Sequence, residues 1–188
     1  MEPSTNEVYF NSKSKENYLL SNFYGGVEAN YMSHRFVNPE IKRLFRDFET
    51  CNKEKFIEYL RILQPEKKPT NYWFKNGEPI RGILSKLVGN SVKGGKAYAK
   101  RLEIIRDLAG VDEVILSPSV SIEERNELML SCLREKYTKK EYRDLLLATG
   151  TSALHERPLR GFKSEWTYPG DDLLGKLLMK VRDEIRII

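Results

Sequence analysis

One stretch near the N-terminus carries the side chains best suited to chemistry. Residues 10–36 read FNSKSKENYLLSNFYGGVEANYMSHRF, a mixture of lysines, asparagines, paired glycines and a glutamate between aromatic residues. Gly25 and Gly26 can adopt positive φ and let the backbone approach a ligand closely. Glu28 follows at once and shares one face of a possible helix with Arg35. This pattern is more typical of a binding site than of a plain core element.

Length and composition indicate a folded, globular protein. The 188 residues suit one domain, or one domain with an appended subdomain, and the hydrophobic content of 40% and charged content of 31% are those of an ordered chain. No apolar run reaches the roughly 18 residues of a membrane span, and the N-terminal sequence MEPSTNE is too polar for a signal peptide. We therefore expect a cytoplasmic protein without a membrane partner, with residues 1–6 as a flexible tail.

The cysteines and the net charge narrow the function classes. Cys51 and Cys132 lie far apart and outside any CxxC pattern, so the sequence predicts neither a disulfide framework nor a zinc site. No Asp/His cluster has metal-ligand spacing, and we expect neither a metal nor a cofactor. The net charge of +5 permits a polyanionic partner such as nucleic acid, although it serves solubility equally well.

Periodicity predicts a mostly helical chain with a few short strands. The strands are expected at 7–10 and 113–116, and a loop at a surface or a cleft is expected at 151–170. Gly89, Gly110 and Gly150 are expected to end helices as C-caps or stops. The predicted helices, each with an apolar stripe, are 39–52, 53–63, 80–87, 100–109, 122–137, 139–149 and 173–188.

Three blocks of the sequence resemble the NADAR family, which includes bacterial N-glycosidases of riboflavin intermediates. FNSKSKENYLLSNF is similar to the family's F-Y-S-x-S…F-S-N-F start, and VEANYMSHRF to its V/S-E-H-Y-x-Q-A-x-K-F segment. YRDLLLATGTSALHE and DDLLGKLLMKVRDEIR resemble its L-L-L-A-T…L-V-E and N-x-L-G-x-L-L-M-x-x-R ending. The resemblance implies an α+β, mainly helical fold and cleavage of N-glycosidic bonds in ribosyl compounds.

Departures from the family pattern point to one of its branches. The family's E-H pair is Glu28-Ala29 here, and the insert between SNF and the glutamate is shortened to YGG. The late D…Y-W-G element is represented only by SEWTYPG. In its short loop and basic charge, the chain is more similar to the branch of the family that acts as antitoxin to DNA ADP-ribosyltransferase toxins. That branch removes ADP-ribose from guanine in DNA, so the implied partners are ADP-ribosylated DNA and a cognate toxin.

The resemblance implies two catalytic side chains. Glu28 stands at the family's acidic position and would bind ribose hydroxyls, position water or act as a general base; alternatively it complements a helix dipole. Lys13, or less favourably Lys15, would trap the open-chain ribose as a Schiff base; alternatively it is a solvated surface lysine.

The predicted substrate-binding residues share polar, aromatic or glycine character suited to ribose, diphosphate or base. Asn22 can serve a ribose or a base edge, or simply bond its own backbone. Trp166 and Tyr168 would stack on a base or anchor their loop. The full set is Ser21, Asn22, Phe23, Gly25, Gly26, Tyr31, Arg35, Lys93, Lys96, Trp166 and Tyr168. Of these, Gly25, Gly26, Arg35, Lys93 and Lys96 are the candidates for the diphosphate.

Alternatives to the DNA hydrolase remain open from the sequence. The chain could be an N-glycosidase of riboflavin-pathway intermediates, or a non-catalytic module that binds ADP-ribose or a toxin. His34 and His155 have no visible acidic partner that would orient them, so we expect packing or surface roles for both.

Overall fold

Helices dominate the computed structural model, which describes residues 6–68, 70–90, 98–158 and 164–187. It contains eight α-helices among these residues, is 57% helical and has a few short strands, which confirms the predicted mainly α-helical α+β class. None of the described helices is both long and apolar enough to cross a membrane.

The described residues form four short strands and eight α-helices. The strands are β1 (Glu7–Phe10), β2 (Phe74–Lys75), β3 (Glu78–Pro79) and β4 (Ala153–Glu156). The helices are α1 (Val27–Ser33), α2 (Pro39–Thr50), α3 (Lys53–Leu63), α4 (Gly82–Asn90), α5 (Tyr98–Ala109), α6 (Ile122–Lys136), α7 (Lys140–Ala148) and α8 (Leu173–Ile187). Short 3-10 turns cover Tyr18–Leu20 and Asn71–Trp73.

The chain divides into two compact units. The terminal unit comprises Met1–Gly25 and Glu123–Ile188, and the middle unit comprises Gly26–Ile122. The prediction of a single domain is not tested by this division, because compact units of this size can belong to one domain.

The terminal unit is built on a parallel pair of strands. β1 pairs with β4 in a register that places Val8 beside Leu154 and Tyr9 beside His155. Because side chains alternate along a strand, Leu154 and Phe10 face the core, where both are buried, whereas Tyr9 and His155 lie on the opposite face. The sheet therefore presents one apolar face and one face rich in polar and aromatic groups.

α8 packs against β4 through Gly175. A Cβ built on this glycine would collide with the backbone oxygen of Leu154, so only a residue without a side chain allows this approach. Leu174 and Leu178 flank the contact and are fully buried. The apolar face of the sheet is thus closed by the last helix of the chain.

The middle unit packs its helices around a cluster of aromatic rings. Phe45 contacts Phe36 and Phe48, and Phe48 in turn contacts Tyr59 edge-on at 4.9 Å. Pro39 begins α2 at the first helical position, where the missing N–H costs nothing. These residues confirm the apolar stripe predicted for the helix after Pro39.

Several boundaries differ from the sequence-based predictions. The helix expected at 80–87 begins at Gly82 and continues through Gly89, which is not a cap, because its backbone packs directly on Met32 of α1. The strand expected at 113–116 is reduced to a bridge between Leu116 and Phe36. The loop expected at 151–170 contains β4, whose pairing with the distant β1 no local pattern could reveal.

We predict that Gly175→Ala destabilises the protein by roughly 1–3 kcal/mol, since the new methyl group must displace backbone rather than a flexible side chain. Helix propensity alone predicts the opposite sign, a gain of about 1 kcal/mol. Denaturant unfolding measures the difference, with the exposed Lys180→Ala in the same helix as control. Unchanged or increased stability of Gly175→Ala would contradict the close packing of α8 on β4.

Candidate functional site

Glu28 lies in the first turn of α1, directly after the paired glycines. Gly25 and Gly26 both adopt positive φ, at 77° and 82°, which is the left-handed region open to glycine. Gly26 is the N-cap of α1 and Glu28 is only 8% exposed. The chain thus turns through two left-handed residues and carries a carboxylate into a buried position.

The other candidates in the middle unit belong to the packing of α1. Tyr31 is buried, and Arg35 donates a hydrogen bond from Nη1 to the carbonyl oxygen of Gly89 at 2.7 Å. One edge of the guanidinium is therefore already used to hold the end of α4. Lys93 and Lys96 lie outside the described residues.

Lys13 is half-buried in a tight turn that follows β1 in the terminal unit. Its backbone N–H donates to the side chain of Asn11 at 2.9 Å, as in an Asx turn. Tyr24 donates from its hydroxyl to the carbonyl oxygen of Ser12 at 2.8 Å, and burial raises the pKa of Tyr24. The hydroxyl therefore stays a donor and joins the Lys13 turn to residues 21–25.

A buried lysine that the sequence did not single out holds the segment before the glycines. Lys136, at the end of α6, is 1% exposed and donates from Nζ to the carbonyl oxygens of Leu19 at 2.6 Å and Ser21 at 3.1 Å. The rings of Tyr137 and Tyr142 lie 5.2 and 4.9 Å from the ammonium. Cation–π attraction and two carbonyl acceptors replace part of the lost hydration.

Gly25 is fitted to that lysine. A Cβ built on Gly25 would lie 2.8–2.9 Å from three methylene carbons of Lys136, closer than side-chain carbons pack. The glycine is therefore required twice, for its positive φ and for the room that the buried lysine occupies.

Asn22 keeps unused hydrogen-bonding capacity. Its Nδ2 contacts the sulfur of Met129 at 3.5 Å, and its Oδ1 is buried without a hydrogen-bond partner in the described part of the chain. The neighbouring Ser21 is buried and its hydroxyl accepts the backbone N–H of Phe23 at 3.3 Å. Asn22 therefore does not bond its own backbone, the structural alternative that the sequence left open, and its amide oxygen can accept from a ligand hydroxyl.

His155 has an acidic partner, contrary to the expectation from the sequence. Its Nδ1 lies 2.6 Å from Oδ2 of Asp172, and both side chains are nearly buried, at 12% and 11% exposure. Asp172 directly precedes α8, adopts a positive φ of 55° and turns its carboxylate to the histidine. The two residues are 17 positions apart, so no local pattern links them in the sequence.

Aromatic and acidic groups surround this histidine on the polar face of the sheet. Glu7 approaches Nε2 of His155 at 3.6 Å with Oε1, and its Oε2 accepts the hydroxyl of Tyr9 at 2.6 Å. That hydrogen bond raises the pKa of Tyr9 to about 12, so the phenol remains a donor at neutral pH. Tyr168, a predicted base-stacking residue, lies 4.8 Å from His155 and is 36% exposed, whereas Trp166 is half-buried.

Comparison with family models, with curated proteins and with solved structures finds no match to this chain. The resemblance to the NADAR family therefore stays a prediction from the sequence blocks. Within the described ranges, no group of three or more His, Cys, Asp or Glu side chains is placed to hold a metal ion.

Substitution of the two adjacent glycines should separate the Lys136 contact from backbone strain. Gly25→Ala and Gly26→Ala should each lower the free energy of unfolding by about 1–2 kcal/mol, because alanine is strained in the left-handed region. No described atom lies within 4 Å of a Cβ on Gly26, so only Gly25→Ala pays a further 1–3 kcal/mol, roughly, for overpacking. Denaturant unfolding of both variants gives the difference.

A Lys136→Ala background supplies the control for this prediction. With the lysine side chain removed, the extra cost of Gly25→Ala should fall towards that of Gly26→Ala. Equal costs of the two alanines in the wild-type background would show that Lys136 does not occupy the space beside Gly25.

Proposed function

We propose that this protein hydrolyses the N-glycosidic bond between ADP-ribose and guanine in DNA, and so reverses the modification made by an ADP-ribosyltransferase toxin. It would act in the cytoplasm, with the modified DNA as substrate and the toxin as its counterpart. The proposal rests on the resemblance of three sequence blocks to the NADAR family and on one structural observation, the burial of Glu28.

The burial of Glu28 favours a chemical role over the alternative of a helix-dipole partner. Glutamate is rarely withdrawn from solvent unless a specific environment holds it, and Glu28 is 8% exposed. α1 is only seven residues long, so its helix dipole is small.

A buried carboxylate suits the chemistry of N-glycosidic hydrolysis. As the C1–N bond breaks, its electron pair leaves with the base nitrogen and positive charge develops on C1 and the ring oxygen of the ribose. A carboxylate held near the sugar stabilises that charge or binds the ribose hydroxyls, and it does so more strongly away from bulk water. We assign this role to Glu28.

Polar features of the terminal unit support the choice of a ribosyl substrate. Asn22 has a buried amide oxygen without a partner among the described residues, which suits a ribose hydroxyl donor. Tyr168 is 36% exposed, and an exposed aromatic ring can stack on a base. The net charge of +5 favours DNA over a small neutral substrate.

We predict that Glu28→Gln abolishes turnover of an oligonucleotide carrying ADP-ribosylated guanine, with a loss of at least about 10²-fold in kcat. The amide keeps the size of the side chain but carries no charge. Release of ADP-ribose, followed by chromatography, measures the rate.

Glu54→Gln is the matched control, because Glu54 is an exposed acidic residue in the first turn of α3. It should leave the rate unchanged. Wild-type protein that leaves the oligonucleotide modified but cleaves a riboflavin-pathway ribosyl intermediate would replace the proposed substrate. Binding of ADP-ribose without turnover of either would identify a binding module.

A covalent route through Lys13 predicts a trapped intermediate. The Lys13 amine would attack C1, the C1–N electron pair would leave with the base, which takes the amine proton, and ring opening would give a Schiff base that water hydrolyses and borohydride reduces to a stable amine. Mass spectrometry of protein treated during turnover should find the ribosyl adduct on Lys13, with Lys13→Arg as control. An active enzyme that gives no lysine adduct hydrolyses the bond directly.

A further inference from the structure

We propose that Glu7, His155 and Asp172 form a proton relay on the polar face of the β1–β4 sheet, with Glu7 as its exposed end. The relay would accept the proton of a water molecule or hydroxyl group that is activated for attack. The substrate of the relay rests on the proposed function, but the position of the hydrogen on the His155 ring can be tested without any substrate.

The geometry of the inner pair defines the first step of the argument. A carboxylate can only accept, so the 2.6 Å contact places a hydrogen on Nδ1 of His155 and directs it to Oδ2 of Asp172. Neutral His155 then carries its lone pair on Nε2. A histidine whose second nitrogen is fixed by an aspartate is the arrangement that general bases use.

Two buried atoms without hydrogen bonds point to function rather than to packing alone. Nε2 of His155 and Oδ1 of Asp172 are both enclosed and have no hydrogen-bond partner in the described ranges. Such groups are costly, and native structures retain few of them without a reason. Asp172 also adopts a positive φ of 55°, in the left-handed region.

The position of Glu7 explains the vacant lone pair on Nε2. Its Oε1 lies 3.6 Å away and the side chain is 51% exposed, so Glu7 separates the enclosed nitrogen from solvent. When Glu7 takes a proton from an O–H group, it can pass that proton to Nε2. The imidazolium that results lies between two carboxylates, and both of its N–H groups then have acceptors.

With this relay, every bond and proton in the hydrolysis of an N-glycosidic bond is accounted for. The O–H bond of water breaks, its electron pair stays on the oxygen and forms the new C1–O bond, and the proton reaches Nε2 through Oε1 of Glu7. The C1–N pair leaves with the base, which is protonated from solvent. No oxidant or other reactant is required.

Aromatic rings and one guanidinium flank the two carboxylates of the relay. Tyr168 and Tyr9 present rings 4.8 and 5.0 Å from His155. The exposed guanidinium of Arg157 lies 3.9 Å over the ring of Tyr9. A nucleobase on the outer ring edge and a phosphate near Arg157 would match these side chains.

The tautomer of His155 provides the first test, on the full chain without substrate. In protein labelled with 15N-histidine, long-range 1H–15N correlation distinguishes the two neutral forms. The chain has only two histidines, so His34→Gln assigns the signals. We expect neutral His155 to carry its hydrogen on Nδ1, and Asp172→Asn to abolish this preference; a hydrogen on Nε2 would overturn the relay.

The second test follows hydrolysis of the ADP-ribosylated oligonucleotide. Glu7→Gln, His155→Gln and Asp172→Asn should each lower kcat by about 10²-fold or more with little change in KM. Combining Glu7→Gln with His155→Gln should cost no more than either alone, because the residues act as a unit.

Control variants separate the relay from a purely structural clamp. His34→Gln removes the other histidine, which is exposed and lies in the middle unit, and should leave kcat unchanged. If His155→Gln and Asp172→Asn lower thermal stability but not kcat, the pair is a clamp and the relay is wrong. If wild-type protein cleaves no ribosyl substrate, the proposed function fails, and a hydrogen on Nε2 of His155 would overturn the relay independently of that result.

Discussion

The buried ammonium of Lys136 donates hydrogen bonds to the carbonyl oxygens of Leu19 and Ser21. These two bonds hold the segment of the terminal unit that leads to the candidate residues Asn22 and Gly25. An ammonium at 1% exposure has lost nearly all its water, so carbonyl oxygens and aromatic faces must supply the replacement. The backbone that supplies them is thereby fixed. Asn22 and Gly25 follow directly in sequence, and their geometry depends on this interaction.

A second constraint in the same unit is the pairing of strands that are distant in sequence. Because β1 and β4 run parallel, they cannot be joined by a hairpin, and 142 residues lie between Phe10, the end of β1, and Ala153, the start of β4. Their register places Tyr9 beside His155, and the chain after β4 returns Asp172 to the same face. Cross-strand pairing thus assembles an acidic, aromatic and histidine-bearing surface from segments that show no local motif.

The parts of the fold that could be predicted are those determined by local periodicity. α3 occupies the same residues, Lys53–Leu63, that its apolar spacing indicates, and Pro39 begins α2 as expected for a proline at the first position. The prediction that Gly89 caps a helix is wrong, because a glycine that ends a helix and a glycine that admits a neighbouring helix look alike in sequence. Burial against Met32 decides between them, and burial is a tertiary property.

The same limit explains which site residues were found. Glu28, Asn22 and the paired glycines are adjacent in sequence, so their composition alone marked them. Lys136 and Asp172 resemble an ordinary helix-ending lysine and an ordinary helix-capping aspartate, and nothing local distinguishes them. Their roles arise only where long-range packing removes water, because desolvation converts a lysine into a fixed scaffold and an aspartate into the orienting partner of a histidine. The candidate site residues are therefore placed by burial as much as by sequence motif.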